Sequence, residues 1–247
     1  MTRWTDADLY CRGAATLLAS WEAYAANGRD AAVGRLPGVA AAVFPQGPER
    51  AILNNALLQR DLHARERAGA LDAMEAAYAD AGIAGFAVWV HESDQAMRAN
   101  LRARGYAVSE STRTMGVDLD DIDLVRPAIE LAPPRWPDAL QIAEVPPGFG
   151  GPVGPAGFAA LIAIQDGTPA ATVATFDHNE DCGIYNVATA PWARRRGLGT
   201  ALTMLAAYEA RARGCRTATL QATPMAENIY AALGFRDLGL ILEYTQA

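Results

Sequence analysis

Long apolar runs are missing from this 247-residue chain: no stretch of 18 consecutive apolar residues occurs, so nothing in it reads as a membrane-spanning helix. Cysteine is scarce. Cys11, Cys182 and Cys215 are scattered without metal-ligand spacing, and three cysteines cannot all pair, which reads as reduced thiols in a cytoplasmic protein with no metal. The N-terminal MTRWTDADLYCRG carries acidic residues and lacks an apolar core of signal-peptide length, which argues against export. Positive charge is also short: 21 Lys and Arg against 28 Asp and Glu leave a net charge of −7. A general nucleic-acid binder needs a basic face, so that class is set aside, and the negative balance fits a cationic partner instead. What remains is an ordinary globular composition, 51% hydrophobic and 20% charged, with length for one large domain or two small ones.

The most informative stretch is CGIYNVATAPWARRRGLGTAL at 182–202. A short apolar strand at 184–188 passes Pro191 and delivers Arg194-x-x-Gly197-x-Gly199 into a helical pattern. A strand that ends in a glycine-bearing turn and opens a helix aims backbone N–H groups and a positive dipole end at one point, which makes an anion site. The glycines let a ligand approach the backbone where a Cβ would block it. Arginine at a helix start opposes the dipole by roughly 0.3 kcal/mol or more each unless an anion compensates, so Arg194, Arg195 and Arg196 point to a pyrophosphate more than to a solvated cluster. A Walker loop would need Lys followed by Ser or Thr after its glycines. A Rossmann turn would need a third glycine and an acidic residue about 20 positions on. Neither is present.

Taken in order, the periodicity predicts a helix over 6–26, strands over 38–44 and 51–58 around the turn Pro45-Gln-Gly-Pro48, and a helix over 65–81. A strand over 86–90, a helix ending at Leu101-Arg-Ala-Arg-Gly105 and a strand over 111–119 follow. Residues 118–155 are rich in Pro, Gly and acidic residues: Pro127, Pro133, Pro134, Pro137, Pro146, Pro147, Pro152 and Pro155 argue against a continuous helix or central strand there. The stretch reads as a linker, with an edge strand at 139–145 and a loop at 148–157. Beyond it the pattern gives strands at 159–164 and 170–176 around an Asp-Gly hairpin, a strand at 183–189, a helix at 198–213, a strand at 217–222, a helix at 225–233 and a strand at 238–243. The order of elements over 75–119 repeats over 205–244: Ala-Ala-Tyr78 answers Ala-Ala-Tyr208, and Gly105-Tyr106 answers Gly234-Phe235. Opposite Arg194 to Gly199 the first copy has Ala64-Arg-Glu-Arg-Ala-Gly69, one glycine and a glutamate, which is a poor cradle for phosphate.

Arg194-x-x-Gly197-x-Gly199, followed some 30 residues on by Ala226-x-x-x-Tyr230 and Gly234-Phe235, resembles motifs A and B of the GNAT acetyltransferases, in the right order and at the right spacing over about 159–244. The resemblance implies an α/β (α+β) fold of two GNAT-like halves, each a mixed, mostly antiparallel sheet flanked by helices. Residues 1–119 are then a degenerate structural half, 120–155 the linker, and 156–247 the acetyl-CoA-binding domain. It implies N-acetyl transfer from acetyl-CoA to a primary amine, small molecule or peptide, with no nucleic acid and no membrane involved; a homodimer is the assembly left open. Carried over by position, Val187, Ala188, Thr189, Arg194, Arg195, Arg196, Gly197, Leu198, Gly199 and Thr200 hold the cofactor. Thr223 stands where many relatives have a cofactor-touching asparagine, and Tyr230 gives a proton to the departing thiolate.

From composition alone, Tyr230 reads as a core aromatic, and Val187 and Thr189 as ordinary strand residues. Cys182 and Cys215 read as small core residues, because no His/Asp arrangement activates either. His91, Glu92 and Asp94 read as a solvated helix cap. A general base is not evident: Tyr185, Asp177, His178, Glu180, Asp181, Glu243 and a water chain all remain. That gap keeps a rival open, a non-catalytic acyl-CoA-binding or scaffold protein.

Overall fold

A helix, α1 (Asp6–Ala25), is followed by strands β1 (Ala32–Leu36), β2 (Val39–Val43) and β3 (Asn55–Leu58), then α2 (Ala64–Asp80), β4 (Ala87–His91), α3 (Gln95–Ala103) and β5 (Tyr106–Asp118). The chain continues through α4 (Trp136–Ile142), β6 (Phe158–Gln165), β7 (Thr168–His178), β8 (Asp181–Thr189), a 3₁₀ turn (Pro191–Ala193), α5 (Leu198–Ala212), β9 (Thr217–Ala222), α6 (Glu227–Ala232) and β10 (Arg236–Gln246). This computed structural model describes residues 3–47, 53–145, 151 and 153–246. Pro48, the first two residues of the strand expected at 51–58, Pro146, Pro147, and residues 148–150 and 152 of the loop expected at 148–157 lie outside the described residues. The class is as expected: mixed, mostly antiparallel sheet flanked by helices.

The elements fall into two compact units that are not contiguous in sequence. The larger is Met1–Ser20 with Thr114–Leu238, and the smaller is Trp21–Arg113 with Gly239–Ala247. In the smaller unit β1 and β2 form a hairpin closed at Gly38 (φ 80°), β2 pairs antiparallel with β3, β3 parallel with β4, and β4 antiparallel with the end of β10. Leu71, Met74 and Tyr78 recur at three and four residues along α2 and are buried with Val88, Val90, Met97 and Leu101. Tyr78 stacks on Phe86 at 4.0 Å between centroids and satisfies its hydroxyl on the Ala42 carbonyl at 3.0 Å.

In the larger unit β5, β9, β8, β7 and β6 lie side by side in that order. The β6–β7 turn is the expected Asp-Gly type, with φ 53° at Asp166 and 76° at Gly167. Leu198, Leu202, Ala206 and Ala210 line the inner face of α5 and pack with Ala171, Val173, Ile184 and Leu220 of the sheet. A Cβ at Gly13 of α1 would stand 3.0 Å from Thr219, so glycine there is what lets α1 lie close on β9.

Two expectations are corrected. Residues 139–145 are not an edge strand: α4 is a helix through Ile142. Of the prolines that argued against a helix, Pro127, Pro133 and Pro134 precede it, Pro137 falls in its first turn, and the other four come after Ile142 in the sequence. In a first turn a missing N–H costs nothing and the fixed φ suits, and Trp136, Ala139 and Leu140 recur at helical spacing on its buried face. Strand β1, unforeseen because Gly34 and Arg35 break the apolar run, forms by pairing with β2 over Ala32–Leu36. The anticipated repeat of order holds: α2–β4–α3–β5 and α5–β9–α6–β10 run alike.

Candidate active site

Strand β8 has two different ends. From Asp181 to Ile184 it pairs parallel with β9, residue for residue with Thr217 to Leu220. Beyond Ile184 that pairing stops, while pairing with β7 continues to Thr189 through a register shift between Thr172 and Ala174. Asn186 sits in this bulge with φ 51°, a left-handed conformation that asparagine tolerates better than most residues. Val187, Ala188 and Thr189 are half-buried, so the outer part of β8 offers an unpaired backbone edge toward the gap that β9 leaves.

The chain then turns into α5 through a loop built by local geometry. Arg194 is extended (φ −63°, ψ 158°) and its Nε donates to the Thr189 carbonyl at 3.2 Å, tying the loop back to β8. Arg195 is left-handed (φ 66°), and so is Gly197 (φ 78°), the N-cap. The Arg196 guanidinium meets Asp166 at 3.1 Å; both are exposed, so the pair contributes little. Gly197 brings no capping side chain and the first turn of α5 has no acidic residue, which leaves the leading N–H groups and the positive helix end uncovered. A Cβ at Gly197 would touch nothing within 4 Å, and one at Gly199 would stand 3.7 Å from Thr189 Oγ1 and 3.9 Å from Val187 Cγ1. The glycines therefore keep open a cradle fronting the end of β8. Leu198 is buried in the core, so only its backbone faces this cradle, while Gly199 and Thr200 are half-buried.

The corresponding helix of the smaller unit is closed. At the start of α2 the Glu66 carboxylate accepts the His63 N–H at 2.8 Å, so a fixed negative charge already occupies the place an anion would take.

Tyr230 lies on α6, 6% exposed, in the same apolar cluster as Val187, Leu198 and Ala222, with its ring edge-on to Phe235 at 6.0 Å. Its hydroxyl has no hydrogen-bond partner among the described residues, and burial pushes its pKa up to about 12. Thr223 is exposed; its carbonyl accepts from Ala226 and Glu227, opening the turn that leads into α6.

Most of the candidate bases are occupied elsewhere. Asp177 makes a two-pronged pair with Arg213 at 2.6 and 2.9 Å. Burial alone would raise its carboxyl, but the Arg213 hydrogen bonds and charge outweigh that and hold it below the ordinary range. Asp181, 1% exposed, takes hydroxyl hydrogen bonds from Thr16, Thr217 and Thr219 at 2.7, 2.5 and 2.8 Å. It anchors α1 to the closed end of β8. His178 is engaged by Asn179, and the Glu180 carbonyl receives the N–H groups of Arg216 and Thr217. These four residues cluster at the start of β8, about 25 Å along the strand from Thr189. Glu243 belongs to the smaller unit, where burial and Glu110 raise its pKa. Tyr185 remains, half-buried beside Phe158 on β8 itself. Burial raises both the Cys182 and Cys215 thiols, the second to about 12, so neither is a ready nucleophile. Among the described residues no group of three or more His, Cys, Asp or Glu is placed to hold a metal ion, and no helix is long and apolar enough to cross a membrane.

Sequence reasoning missed Asn186. An asparagine in the middle of an otherwise apolar strand was the available signal for the bulge.

Comparison with known proteins bears on this arrangement. Residues 127–235 match the model of the acetyltransferase (GNAT) family. In fold the chain is similar to a GCN5-related N-acetyltransferase from Kribbella flavida, with a TM-score of 0.71 and 18% identity over 95% of both chains. A GCN5-related N-acetyltransferase from Sphaerobacter thermophilus gives 0.58 and 16% identity over 84% of this chain and 76% of its own. A tandem GNAT protein from the clavulanic acid biosynthesis pathway gives 0.54 and 19% identity over 84% and 77%. At these identities the likeness concerns fold alone. No protein of curated function matches the sequence.

Proposed function

The chain carries an acetyltransferase (GNAT) family domain across residues 127–235, and from that premise we propose that it moves an acetyl group from acetyl-CoA to a primary amine, small molecule or peptide, by direct attack. The observation that carries this reading is the outer end of β8, an unpaired strand edge running into an uncapped, glycine-lined helix start. The residues fit the donor. The N–H groups of Gly197, Leu198, Gly199 and Thr200 and the α5 dipole would hold the diphosphate in the space the missing Cβ atoms leave open. The backbone of Val187, Ala188 and Thr189 would pair with the amide-bearing arm as an added strand. Acetyl-CoA supplies a thioester carbonyl activated toward nucleophiles.

The remaining chemistry falls to this chain's side chains and backbone. β8 N–H groups beside the bulge stabilise negative charge on the carbonyl oxygen as the amine attacks. Tyr230, protonated across the physiological range, donates its proton to the sulfur as the carbon–sulfur bond breaks. The attacking amine arrives mostly as ammonium and must lose a proton. With Asp177 and Asp181 committed to Arg213 and to three threonines, the route left is water relayed past Tyr185.

The smaller unit, with Glu66 closing its helix, serves as a structural partner that takes no acetyl-CoA. A cytoplasmic setting accords with the chain's three free cysteines.

To test the reading, purified protein is incubated with acetyl-CoA and a panel comprising an arylalkylamine, a polyamine, an aminoglycoside, an amino acid and a peptide. Free CoA thiol and acetylated amine are followed together. At least one amine is expected to release CoA in step with its own acetylation. Binding of acetyl-CoA with no amine raising thiol release above background would favour the non-catalytic acyl-CoA-binding reading instead.

A further inference from the structure

A cavity of about 660 Å³ opens in the smaller unit where the end of α2 meets the starts of β4 and β5. Ala79, Ile83, Ala84 and Phe86 give it an apolar wall, and Glu75, Arg104 and Tyr106 a polar one. Glu75 and Ala79 stand four apart on α2 and so share a face, and the small side chains of Ala79 and Ala84 leave the space open. The polar wall is unevenly satisfied. Arg104 donates to Asp72 at 2.6 Å and to Glu75 Oε2 at 2.8 Å, and reaches the Ala68 carbonyl at 3.4 Å, so its fork is spent within the protein. The other Glu75 oxygen, Oε1, has the Tyr106 hydroxyl at 3.3 Å, long against the ~2.7–2.8 Å of an ordinary O–H···O bond. Burial, and then the Glu75 charge, push the Tyr106 pKa up to about 12, so that hydroxyl stays neutral. Two carboxylates against one guanidinium leave a negative charge over. The C-terminal end of α2 adds to it, because its last turn carries Asp80 and no basic residue.

We propose that this cavity binds an organic ammonium ion, its head on Glu75 Oε1 and its apolar body against Ala79, Ile83 and Phe86. An ammonium supplies the short, charge-assisted donor that Oε1 lacks. An anion would meet the surplus negative charge, and a metal ion would find too few free oxygens for a coordination shell. A neutral molecule gains the apolar contacts alone. The volume falls in the roughly 300–1,000 Å³ range of small-molecule sites. The site is independent of the acetyl-CoA reading: it lies in the smaller unit, about 20 Å along α2 from the start closed by Glu66.

The experiment is an NMR titration of the ¹⁵N-labelled full chain, without acetyl-CoA, with phenethylamine and with its neutral counterpart 2-phenylethanol, followed at the amides of Ile83, Ala84, Phe86 and Gln246. Phenethylamine is expected to shift these amides saturably, and 2-phenylethanol to bind about tenfold more weakly or worse. Glu75→Gln, which removes the charge, and Ala79→Leu, which fills the cavity and leaves every polar group in place, should each weaken phenethylamine by about tenfold or more. Melting curves show whether each variant is folded; should Glu75→Gln not fold, Ala79→Leu and the neutral counterpart decide. Absence of a saturable shift at these amides, equal affinity for the alcohol, or undiminished binding to either folded variant overturns the assignment. Shifts confined to 185–189 on β8 would place the amine at the acetyl-transfer site instead and likewise overturn it.

Discussion

Tyr230 is buried, its hydroxyl has no partner among the described residues, and burial pushes its pKa up to about 12. A raised phenol pKa means the neutral form is favoured in the folded protein. Its contribution to stability is full below pH about 10 and is lost as pH rises through about 12. The phenol is accordingly protonated throughout the neutral range, as the proposed proton donation requires, and Tyr230 is expected to set no alkaline limb on kcat below about pH 10. Tyr230→Phe keeps the ring packing against Phe235 and removes only the hydroxyl. A CoA thiol has a pKa near ~8.5 and can depart unprotonated at some cost, so kcat should fall by about 10²-fold or somewhat less, with acetyl-CoA affinity and melting temperature nearly unchanged. Steady-state kinetics and calorimetry check this. Full kcat in the variant would return Tyr230 to the status of a core aromatic. At this scale the sequence was readable where chemistry forces residue type: Gly197 must be glycine for its φ, and the Arg-x-x-Gly-x-Gly spacing exposes the cradle. It was not readable for Asp177 and Asp181, whose partners Arg213, Thr16, Thr217 and Thr219 lie 36, 165, 36 and 38 residues away in the chain.

Among the elements, β8 does most to organise the larger unit, because one end is locked and the other is open. The locked end is the Asp181 carboxylate, which gathers hydroxyls from α1 and β9 in a buried site. Asp181→Asn replaces an acceptor oxygen by an amide donor facing hydroxyls, which should cost about 1–3 kcal/mol of stability. Since Asp181 stands about 16 Å along the strand from the Asn186 bulge, and its oxygens are taken by three hydroxyls, kcat below the melting transition should not change. Melting curves paired with initial rates decide the matter: a large loss of kcat in a folded variant would restore Asp181 as the base. The open end depends on the Asn186 bulge, which the sequence concealed because the run at 183–189 reads as one uninterrupted strand. Helix α4 was hidden for the opposite reason. Proline density dominated the reading, although each proline among the described residues lies where a helix tolerates it.

Over the whole molecule, the order helix–strand–helix–strand occurs twice, and the two copies differ at the start of the leading helix. The leading helix of the larger unit starts uncapped behind two glycines, while that of the smaller unit starts under a glutamate carboxylate. This contrast was legible, since Gly197 and Gly199 against Glu66 can be read directly from the chain. The division into units was less so: the first 20 residues go with the larger unit and the last nine with the smaller, a pairing of distant segments that no local pattern encodes. The central claim is that the chain holds a single acetyl-CoA site and that it lies at Gly197. Calorimetric titration of CoA into wild type and Gly197→Glu tests it most directly, since the new carboxylate would both fill the cradle and repel the diphosphate, with circular dichroism confirming that the variant is folded. The account predicts one CoA per wild-type chain and no measurable binding to the folded variant; two CoA per chain, or undiminished binding to Gly197→Glu, would contradict it.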